Sequence, residues 1–126
     1  ENIHVSFHGP EKGLIILADP EQLVQVFNNL LKNAFQSIPF DKKGKIDITV
    51  SADDTDVEIS VKDNGSGITA EDQKKLFSPN FTTKSTGMGL GLSIVKNIIE
   101  ITGGRISYTT RAGHGTTFTI NFNLYK

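Results

Sequence analysis

The most informative part of the sequence is residues 63–96, which read DNGSGITAEDQKKLFSPNFTTKSTGMGLGLSIVK. Five glycines lie here between two strongly apolar segments, although glycine weakens ordinary helices and strands. Their number indicates that backbone conformation, or access to the backbone, matters in this part of the chain. A surface loop with incidental glycines is the simpler interpretation, and the flanking segments decide between the two.

Length and composition restrict the classes of protein to consider. The 126 residues are enough for one buried core, and we expect residues 1–126 to form a single domain. With 13 basic and 14 acidic side chains the net charge is −1, which excludes a basic surface for nucleic acid or an anionic membrane. The absence of cysteine excludes disulfides and thiolate metal sites.

No secretory signal is visible, and the longest apolar run, residues 14–18, is far too short to span a bilayer. The chain starts at Glu1 rather than at a methionine. We therefore expect a domain excised from a larger cytoplasmic protein, and the sequence leaves open whether that parent is anchored in a membrane.

The first part of the chain predicts two strands and a long helix. Apolar and polar side chains alternate in residues 3–7, as in a half-buried strand, and residues 14–18 form a second strand. Asp19 is suited to the N-cap of a helix and Pro20 to its first position. Apolar residues at spacings of three and four then continue until Pro39: Leu23, Val26, Phe27, Leu30, Leu31, Ala34 and Phe35.

The remainder predicts four strands and a second long helix. Hairpin turns are expected at residues 53–56 and 111–115, and a helix over about residues 90–102 is stopped by two glycines. The expected inward side chains are Ile46, Ile48, Val50, Val57, Ile59, Val61, Ile94, Val95, Ile98, Ile99, Ile106, Tyr108, Phe118, Ile120, Phe122 and Leu124. About six strands and two helices in mixed order predict a two-layer α/β sandwich with a mixed, mostly antiparallel sheet.

Five amide side chains recur at helical spacing beside the apolar face of the first helix and form what we term the amide flank: Gln22, Gln25, Asn29, Asn33 and Gln36. A solvated helix surface is one explanation, and it suits the glutamines. Asn29 and Asn33 are harder to explain in this way, because asparagine is a poor helix former. Amide oxygens are hard ligands, suited to one or two positions around a Mg²⁺ that keeps its waters and phosphate oxygens.

Asp63 is predicted to face the core, because it shares strand parity with the apolar side chains of residues 57–61. A carboxylate in that position needs a hydrogen-bond donor, and the neighbouring sequence supplies no cation. The exocyclic amine of adenine would be such a donor, and Gly65 and Gly67 would let a planar base approach the backbone. A partner from the next strand, or an Asx turn with the following backbone, is the alternative.

The sequence GMGLGL of residues 87–92 opens the second long helix. Free N–H groups at a helix start, without side chains in the way, form an anion site. The chain has no P-loop signature, lacks the strand that a dinucleotide fold needs directly before its glycines, and lacks the catalytic segments of protein kinases. These exclusions favour a phosphate-binding helix start, closed by a mobile segment of about residues 78–88 that carries Lys84.

Four boxes in one order resemble those of the ATP-binding catalytic domain of sensor histidine kinases, in the superfamily shared with gyrase, Hsp90 and MutL. Residues 29–34 resemble the N box, residues 63–68 the first glycine box, residues 76–84 the F box and residues 87–92 the second glycine box. Residues 115–118 resemble the closing strand motif. The resemblance covers nearly the whole chain and implies the Bergerat ATP-binding fold.

The resemblance also implies a role for each matching residue. Asp63 would bind adenine N6, Thr116 would help to hold the base through water, and Asn33 would ligate Mg²⁺ with Asn29 beside it. Lys84 would join Asn29 and Asn33 as a catalytic group. Further contacts with ATP are implied for Gly65, Gly67, Ile68, Phe77, Thr83, Lys84, Gly87, Gly89, Leu90, Gly91 and Leu92.

Two residues depart from the family pattern. Gln36, which the resemblance places in the nucleotide site, stands where many members have Lys or Arg, and this leaves Lys84 or Lys32 to supply a cation for the phosphates. Asn80 interrupts the usual Pro-Phe-Phe of the F box, so the resemblance does not define how the mobile segment closes.

Asn29 favours a kinase over an ATPase. ATPase members of the superfamily typically have Glu at this position, and an amide cannot take a proton from water as that carboxylate does. The resemblance then implies transfer of the γ-phosphate of Mg-ATP to a histidine on a separate dimerisation domain, and from there to a response regulator. His4, His8 and His114 are interpreted as surface histidines, so the isolated chain is expected to phosphorylate little.

Two alternatives stay open. A non-catalytic adaptor of the same fold would bind nucleotide to regulate a partner; Gln36 agrees with it, whereas the intact Asn33, Asp63 and second glycine box argue against it. A structural α/β domain with incidental glycines would leave the order of the boxes unexplained.

Overall fold

The computed structural model of the chain describes residues 3–9, 19–74, 76–77 and 89–123. Its strands are β1 (Ile3–His8), β2 (Gly44–Ala52), β3 (Asp56–Asp63), β4 (Arg105–Arg111) and β5 (Gly115–Asn123). Its helices are α1 (Pro20–Ser37), α2 (Ala70–Gln73) and α3 (Gly89–Ile101). Among these residues no helix is long and apolar enough to cross a membrane.

The five strands form one sheet in the order β1-β2-β3-β5-β4. β1 is parallel to β2, and every other neighbouring pair is antiparallel. The long helices α1 and α3 pack against each other, α1 mainly on β3 and α3 on β4. The structure therefore confirms the predicted two-layer sandwich with a mixed, mostly antiparallel sheet.

Helix α1 begins and ends where its sequence predicts. The Asp19 carboxylate accepts a hydrogen bond of 3.0 Å from the Glu21 N–H and caps the helix, with Pro20 in the first turn. The helix stops after Ser37, two residues before Pro39, because proline cannot continue it. The regular spacing of its apolar residues then fixes which face meets the sheet.

The core lies between the helices and the sheet. Its buried apolar members are Val26, Leu30, Ala34, Ile38, Ile46, Val61, Leu76, Leu92, Val95, Ile98, Ile99, Phe118, Ile120 and Phe122. The prediction of an inward Ile94 is wrong, since this side chain is exposed. At 100° per residue Ile94 points about 130° away from the centre of the buried face that Leu92, Val95 and Ile99 define.

The edge strand β1 is less buried than its alternating sequence predicts. Ile3 is half-buried, but Val5 and Phe7 are 45% and 66% exposed, so the expectation of a half-buried apolar side is wrong for these two. β1 lies at the edge of the sheet, and α1 packs on its interior strands. A local pattern reveals a strand but not how much cover its edge position receives.

Two further predictions fall outside the described residues, and one element was not predicted. The sixth strand, expected at residues 14–18, and the inward Leu124 lie outside the described residues. The segment after β3, for which the sequence analysis names no element, contains the short helix α2, whose N-cap Thr69 accepts a hydrogen bond of 3.1 Å from the Asp72 N–H. A threonine followed three residues later by an acidic residue is a helix-start signal that could have predicted it.

Candidate nucleotide-binding site

The amide flank of α1 contains one buried member. Asn33 is 8% exposed, and its amide makes no hydrogen bond to another described residue. One turn earlier, Asn29 is half-buried and its Nδ2 donates to the Gln25 carbonyl at 2.9 Å. Gln36 is exposed at the end of the flank. Asn33 is thus largely covered, although no described side-chain polar atom is both buried and without a hydrogen bond, so its amide still has access to a ligand or water.

Asp63 ends β3 and is 6% exposed, which confirms its predicted inward direction. Its Oδ1 accepts hydrogen bonds from the backbone N–H groups of Gly65, at 2.8 Å, and Thr116, at 3.3 Å. Its Oδ2 has no hydrogen bond to the residues described. The Asx turn and the partner from a neighbouring strand, which the sequence left open as the alternative to a ligand, are both present, yet they occupy only one of the two oxygens.

Burial raises the pKa of the Asp63 carboxyl above its ordinary value, because an anion in this position has lost most of its water. The Gly65 N–H, the nearby Ser37 hydroxyl, the Thr116 N–H and the positive charge of Lys42 all lower the pKa, but together they do not offset burial. A donor from a ligand would therefore meet a carboxylate that is still short of hydrogen bonds.

Asn64 fastens the first glycine box to the start of β2. Its Oδ1 accepts from the Lys45 N–H at 2.8 Å, and its Nδ2 donates to the Lys43 carbonyl at 3.1 Å. The Asn64 N–H adds a bond of 3.2 Å to the Lys45 carbonyl. These three contacts hold the chain in place directly after Asp63.

Gly65 fits against the end of α1. A Cβ atom at this position would overlap the Ser37 hydroxyl and lie 2.6 Å from the Ser37 carbonyl oxygen, so only glycine allows this approach. The Ser66 N–H donates to that carbonyl at 2.9 Å. Gly65, which was predicted to let a base approach the backbone, therefore allows close packing against the end of the helix that carries Asn33.

The far side of the loop rests on the β4–β5 hairpin. The Gly113 N–H donates to the Ser66 carbonyl at 2.7 Å, and the Ile68 N–H donates to the Thr110 hydroxyl at 2.9 Å. Gly67 lies against the backbone of Arg111. Gly65, Gly67 and Ile68 are thus brought together with Asp63, as predicted, but through partners that the sequence analysis did not identify.

Asp63, Thr116 and Thr110 form one row across three strands, which we term the polar row. Asp63 pairs with Thr116 in the β3–β5 register, and Thr116 pairs with Thr110 in the β4–β5 register. Thr116 is 5% exposed, and its hydroxyl lies 2.8 Å from that of Thr110. The Thr110 hydroxyl also lies 3.2 Å from the Gly115 carbonyl oxygen.

Gly115 makes the close contact between β3 and β5 possible. Its φ of +132° is rare for other residues, and a Cβ here would overlap the Asp63 carbonyl oxygen. The resemblance had placed Gly115 in the closing strand motif without a role. A glycine directly before Thr116 is the sequence signal that could have revealed this contact.

The last residue of α2 and the residues that follow it hold the first glycine box in place. Gln73 donates to the Ile68 carbonyl at 3.1 Å and accepts from the Tyr108 hydroxyl at 3.3 Å. The Phe77 ring packs edge-on against Tyr108, with centroids 6.1 Å apart and planes at 64°. Lys96 Nζ lies 5.2 Å from the centre of the Phe77 ring. Phe77 is thus in an aromatic cluster on the flank of the domain.

Helix α3 begins at Gly89, inside the second glycine box. The Leu92 side chain is 1% exposed and belongs to the core, so any contact of Leu92 with phosphate would come from its backbone. Residues Thr83, Lys84 and Gly87 lie outside the described residues. Among the described residues no group of three or more His, Cys, Asp or Glu side chains is placed to hold a metal.

The residues of the N box, the first glycine box and the second glycine box lie on α1, at the end of β3 and at the start of α3, as in the predicted fold. Residues 18–126 match the family described as histidine kinase-, DNA gyrase B-, and HSP90-like ATPase. The chain belongs to this family. Its description names histidine kinases, gyrase and Hsp90, which are members of the superfamily that the sequence boxes resemble.

Relatives within the family are sensor kinases. The chain is 47% identical over 105 residues to the sensor histidine kinase ZraS of Escherichia coli K12. This match covers 83% of this chain and 22% of ZraS. It is 41% identical over 109 residues to sporulation kinase A of Bacillus subtilis, covering 86% of this chain and 18% of that kinase. The chain therefore spans about a fifth of the length of these curated relatives.

Solved structures agree with this assignment. The catalytic domain of histidine kinase ThkA, in a nucleotide-free form, superimposes with a TM-score of 0.83 at 38% identity. The match covers 97% of this chain and 80% of the ThkA chain. The fold is therefore that of a histidine kinase catalytic domain, and membership of an ATPase family implies that it binds ATP.

Proposed function

We propose that this chain is the catalytic domain of a protein-histidine kinase, which binds Mg-ATP beside the polar row and transfers the γ-phosphate to a histidine on a separate dimerisation domain. The observation that supports it most is Asp63, a buried carboxylate with Oδ1 held by two backbone N–H groups and Oδ2 left for a ligand. That geometry suits the exocyclic amine of adenine, which is a hydrogen-bond donor.

Adenine recognition rests on fixed groups in this proposal. Asp63 would accept from N6, and Thr116, next to it in the polar row, would hold the ring directly or through water. Guanine has a carbonyl oxygen where adenine has N6, so it would place an acceptor against the carboxylate. The domain is therefore expected to select adenine nucleotides.

Asn33 supplies the metal side of the site. Asn33 makes no hydrogen bond to another described residue, and its amide oxygen fits one ligand position of a Mg²⁺ whose other ligands are phosphate oxygens and water. When bound, that ion would neutralise charge on the transferring phosphoryl group. Gly89, Leu90, Gly91 and Leu92 would offer backbone N–H groups from the first turn of α3, with Thr83, Lys84 and Gly87 remaining predicted contacts.

Asn29 favours transfer of the phosphoryl group to histidine over hydrolysis of ATP. An amide cannot act as a general base toward water, and its Nδ2 is already bonded to the Gln25 carbonyl. A histidine acceptor needs no such base, because a neutral imidazole is already a nucleophile. His4, His8 and His114 are all exposed on this domain, and we infer that the acceptor belongs to the dimerisation domain, which then serves a response regulator.

Calorimetric titration with ADP and with a non-hydrolysable ATP analogue, each with Mg²⁺, tests the nucleotide site. The unmodified chain should bind both and reject the guanine analogues. Asp63→Asn should weaken binding by about 10- to 100-fold, the effect of removing a hydrogen bond to a charged group. Asp54→Asn, an exposed aspartate in the turn at the other end of β3, is the matched control and should bind as the unmodified chain does. Equal affinity for adenine and guanine nucleotides would contradict this base assignment.

Phosphotransfer is tested by supplying a dimerisation domain in trans with Mg-ATP. Acid-labile, base-stable label on that domain supports the kinase, and little label should appear on the catalytic chain alone. The second candidate, a non-catalytic adaptor, is favoured by the exposed, uncharged Gln36 at a position where many relatives carry a cation. Tight binding of Mg-ATP with no transfer to any supplied domain would favour the adaptor.

A further inference from the structure

Thr110 has no role in the proposed function, yet its hydroxyl is the best-connected side chain of the polar row. It accepts from the Ile68 N–H at 2.9 Å, lies 2.8 Å from the Thr116 hydroxyl, and lies 3.2 Å from the Gly115 carbonyl oxygen. These contacts join the first glycine box, the closing strand motif and β4 at one oxygen atom.

The order of donors in this cluster is constrained. A backbone N–H can only donate, so Ile68 makes Thr110 an acceptor and occupies one of its lone pairs. The single hydroxyl proton of Thr110 then has two destinations: Thr116 Oγ1 or the more distant Gly115 carbonyl oxygen. The first choice leaves the Thr116 proton free to point away from the row, whereas the second makes Thr116 donate back to Thr110.

We propose that Thr110 is a positioning residue for adenine recognition, which directs a hydrogen-bond chain from the Ile68 N–H through Thr110 and Thr116 toward the ligand. Once a ligand is bound, either order gives each hydroxyl proton one acceptor; in this order the Thr110 proton lies in the 2.8 Å contact with Thr116 Oγ1 rather than in the 3.2 Å contact with the Gly115 carbonyl oxygen. Thr116 then presents a donor directly to the ligand, beside the carboxylate acceptor of Asp63. An acceptor next to a donor is the complement of adenine, whose N6 donates and whose N1 accepts.

This inference rests on the proposed function, because it assumes that adenine lies at Asp63. It adds a cause for selectivity, since guanine carries a hydrogen on N1 and would meet the Thr116 proton. If Thr116 instead donated its proton to Thr110, it would present only an acceptor to the ligand. Asp63 and Thr116 would then not distinguish adenine from guanine at N1.

The test compares ADP with 1-deaza-ADP, in which a C–H group replaces N1, by calorimetry with Mg²⁺. The unmodified chain should bind 1-deaza-ADP about three- to tenfold more weakly than ADP, as expected for one neutral hydrogen bond. Thr110→Val keeps the shape and removes the hydroxyl, so it should bind ADP more weakly and show less than about a twofold difference between the two ligands.

Two variants separate positioning from support of the fold. Thr110→Ser restores the hydroxyl and should restore the discrimination against 1-deaza-ADP. Thr109→Val removes an exposed hydroxyl from the adjacent position of β4, which has no hydrogen bond to another described residue, and should keep it. If Thr110→Val weakened both ligands by the same factor, Thr110 would only support the loop and the inference would be overturned.

Failure of the proposed function would look different. An unmodified chain that binds neither ligand would contradict the nucleotide site itself and, with it, this inference. Binding of ADP with equal affinity for 1-deaza-ADP in the unmodified chain would contradict the hydrogen-bond chain alone.

Discussion

Asp63 and Asn33 are both buried polar residues of the proposed nucleotide site, but their surroundings differ. Asp63 is held by two backbone N–H groups and stands in a row with Thr116 and Thr110. Asn33 has no hydrogen bond to another described residue. The proposed base side is thus organised before any ligand arrives, whereas the amide on the proposed metal side is left to a ligand or water.

This difference has an energetic meaning. Groups that are already fixed lose little entropy when a ligand binds, so they contribute selectivity efficiently. A buried amide whose partner is part of the ligand contributes only when that ligand is present. Substitutions on the base side should therefore disturb fold and binding together, and substitutions at Asn33 should disturb binding alone.

The largest expected effect comes from Gly115→Ala. The added methyl group would overlap the Asp63 carbonyl oxygen at a φ that alanine rarely adopts, so we expect a loss of about 2–4 kcal/mol in the free energy of unfolding, together with loss of ADP binding. Urea denaturation and calorimetry measure the two quantities.

Gly113→Ala is the matched control for that substitution. Gly113 also has a positive φ, +80°, but a Cβ there meets nothing within 4 Å. We expect this variant to lose about 1 kcal/mol and to keep most of its ADP affinity. Equal losses in the two variants would mean that the contact with Asp63 contributes nothing beyond the backbone angle.

The next effect concerns Asn33→Ala. We expect its ADP affinity without Mg²⁺, measured in EDTA, to match that of the unmodified chain. The increase in ADP affinity that Mg²⁺ causes should be about tenfold smaller in the variant than in the unmodified chain. Asn28→Ala, an exposed asparagine on the same helix, should keep the full Mg²⁺ effect. A Mg²⁺ effect that survives in Asn33→Ala would remove Asn33 from the metal site and end the contrast with Asp63.

The smallest effect is the pH dependence of stability that Asp63 introduces. Its pKa in the folded chain is raised above the ordinary 3.8, so the folded state binds a proton more tightly than the unfolded state. The free energy of unfolding should therefore fall, through this group, as pH rises from near 3.8 through the folded pKa. Asp63→Asn removes this term, because an amide stays neutral.

Urea titrations of both chains across this pH range measure the difference directly, since the other carboxyl groups are common to both. The stability of Asp63→Asn relative to the unmodified chain should increase with pH and then level off above the folded pKa. A constant difference across the range would show that burial does not raise the pKa of Asp63.

The parts of the fold that depend on local chemistry could be predicted from the sequence. The N-cap at Asp19 and the spacing of apolar residues fix α1, and strand parity alone places Asp63 inward. These features need only a few neighbouring residues. For the same reason the local pattern identified β1 correctly but not the exposure of Val5 and Phe7, which depends on the order of strands in the sheet.

The missed parts of the site depend on distant pairs. Thr110 reaches Ile68 over 42 positions, and Ser37 meets Gly65 only because α1 ends beside the loop after β3. Neither residue belongs to a box, and although Thr110 shares strand parity with Ile106 and Tyr108, parity does not show what it meets. The register between β4 and β5 had to be known before Thr110 could be placed beside Thr116.

The polar row also ties the site to the order in which the chain is made. Asp63 receives its second backbone hydrogen bond from a residue 53 positions later in the chain. Because synthesis proceeds from the N-terminus, α1, β2 and β3 emerge first, and the row can close only when the last strand arrives. A chain cut short before β5 would keep Asn33 and the first glycine box but lack the Thr116 side of the base site. Occupancy by nucleotide would therefore mark finished domains and leave unfinished ones empty.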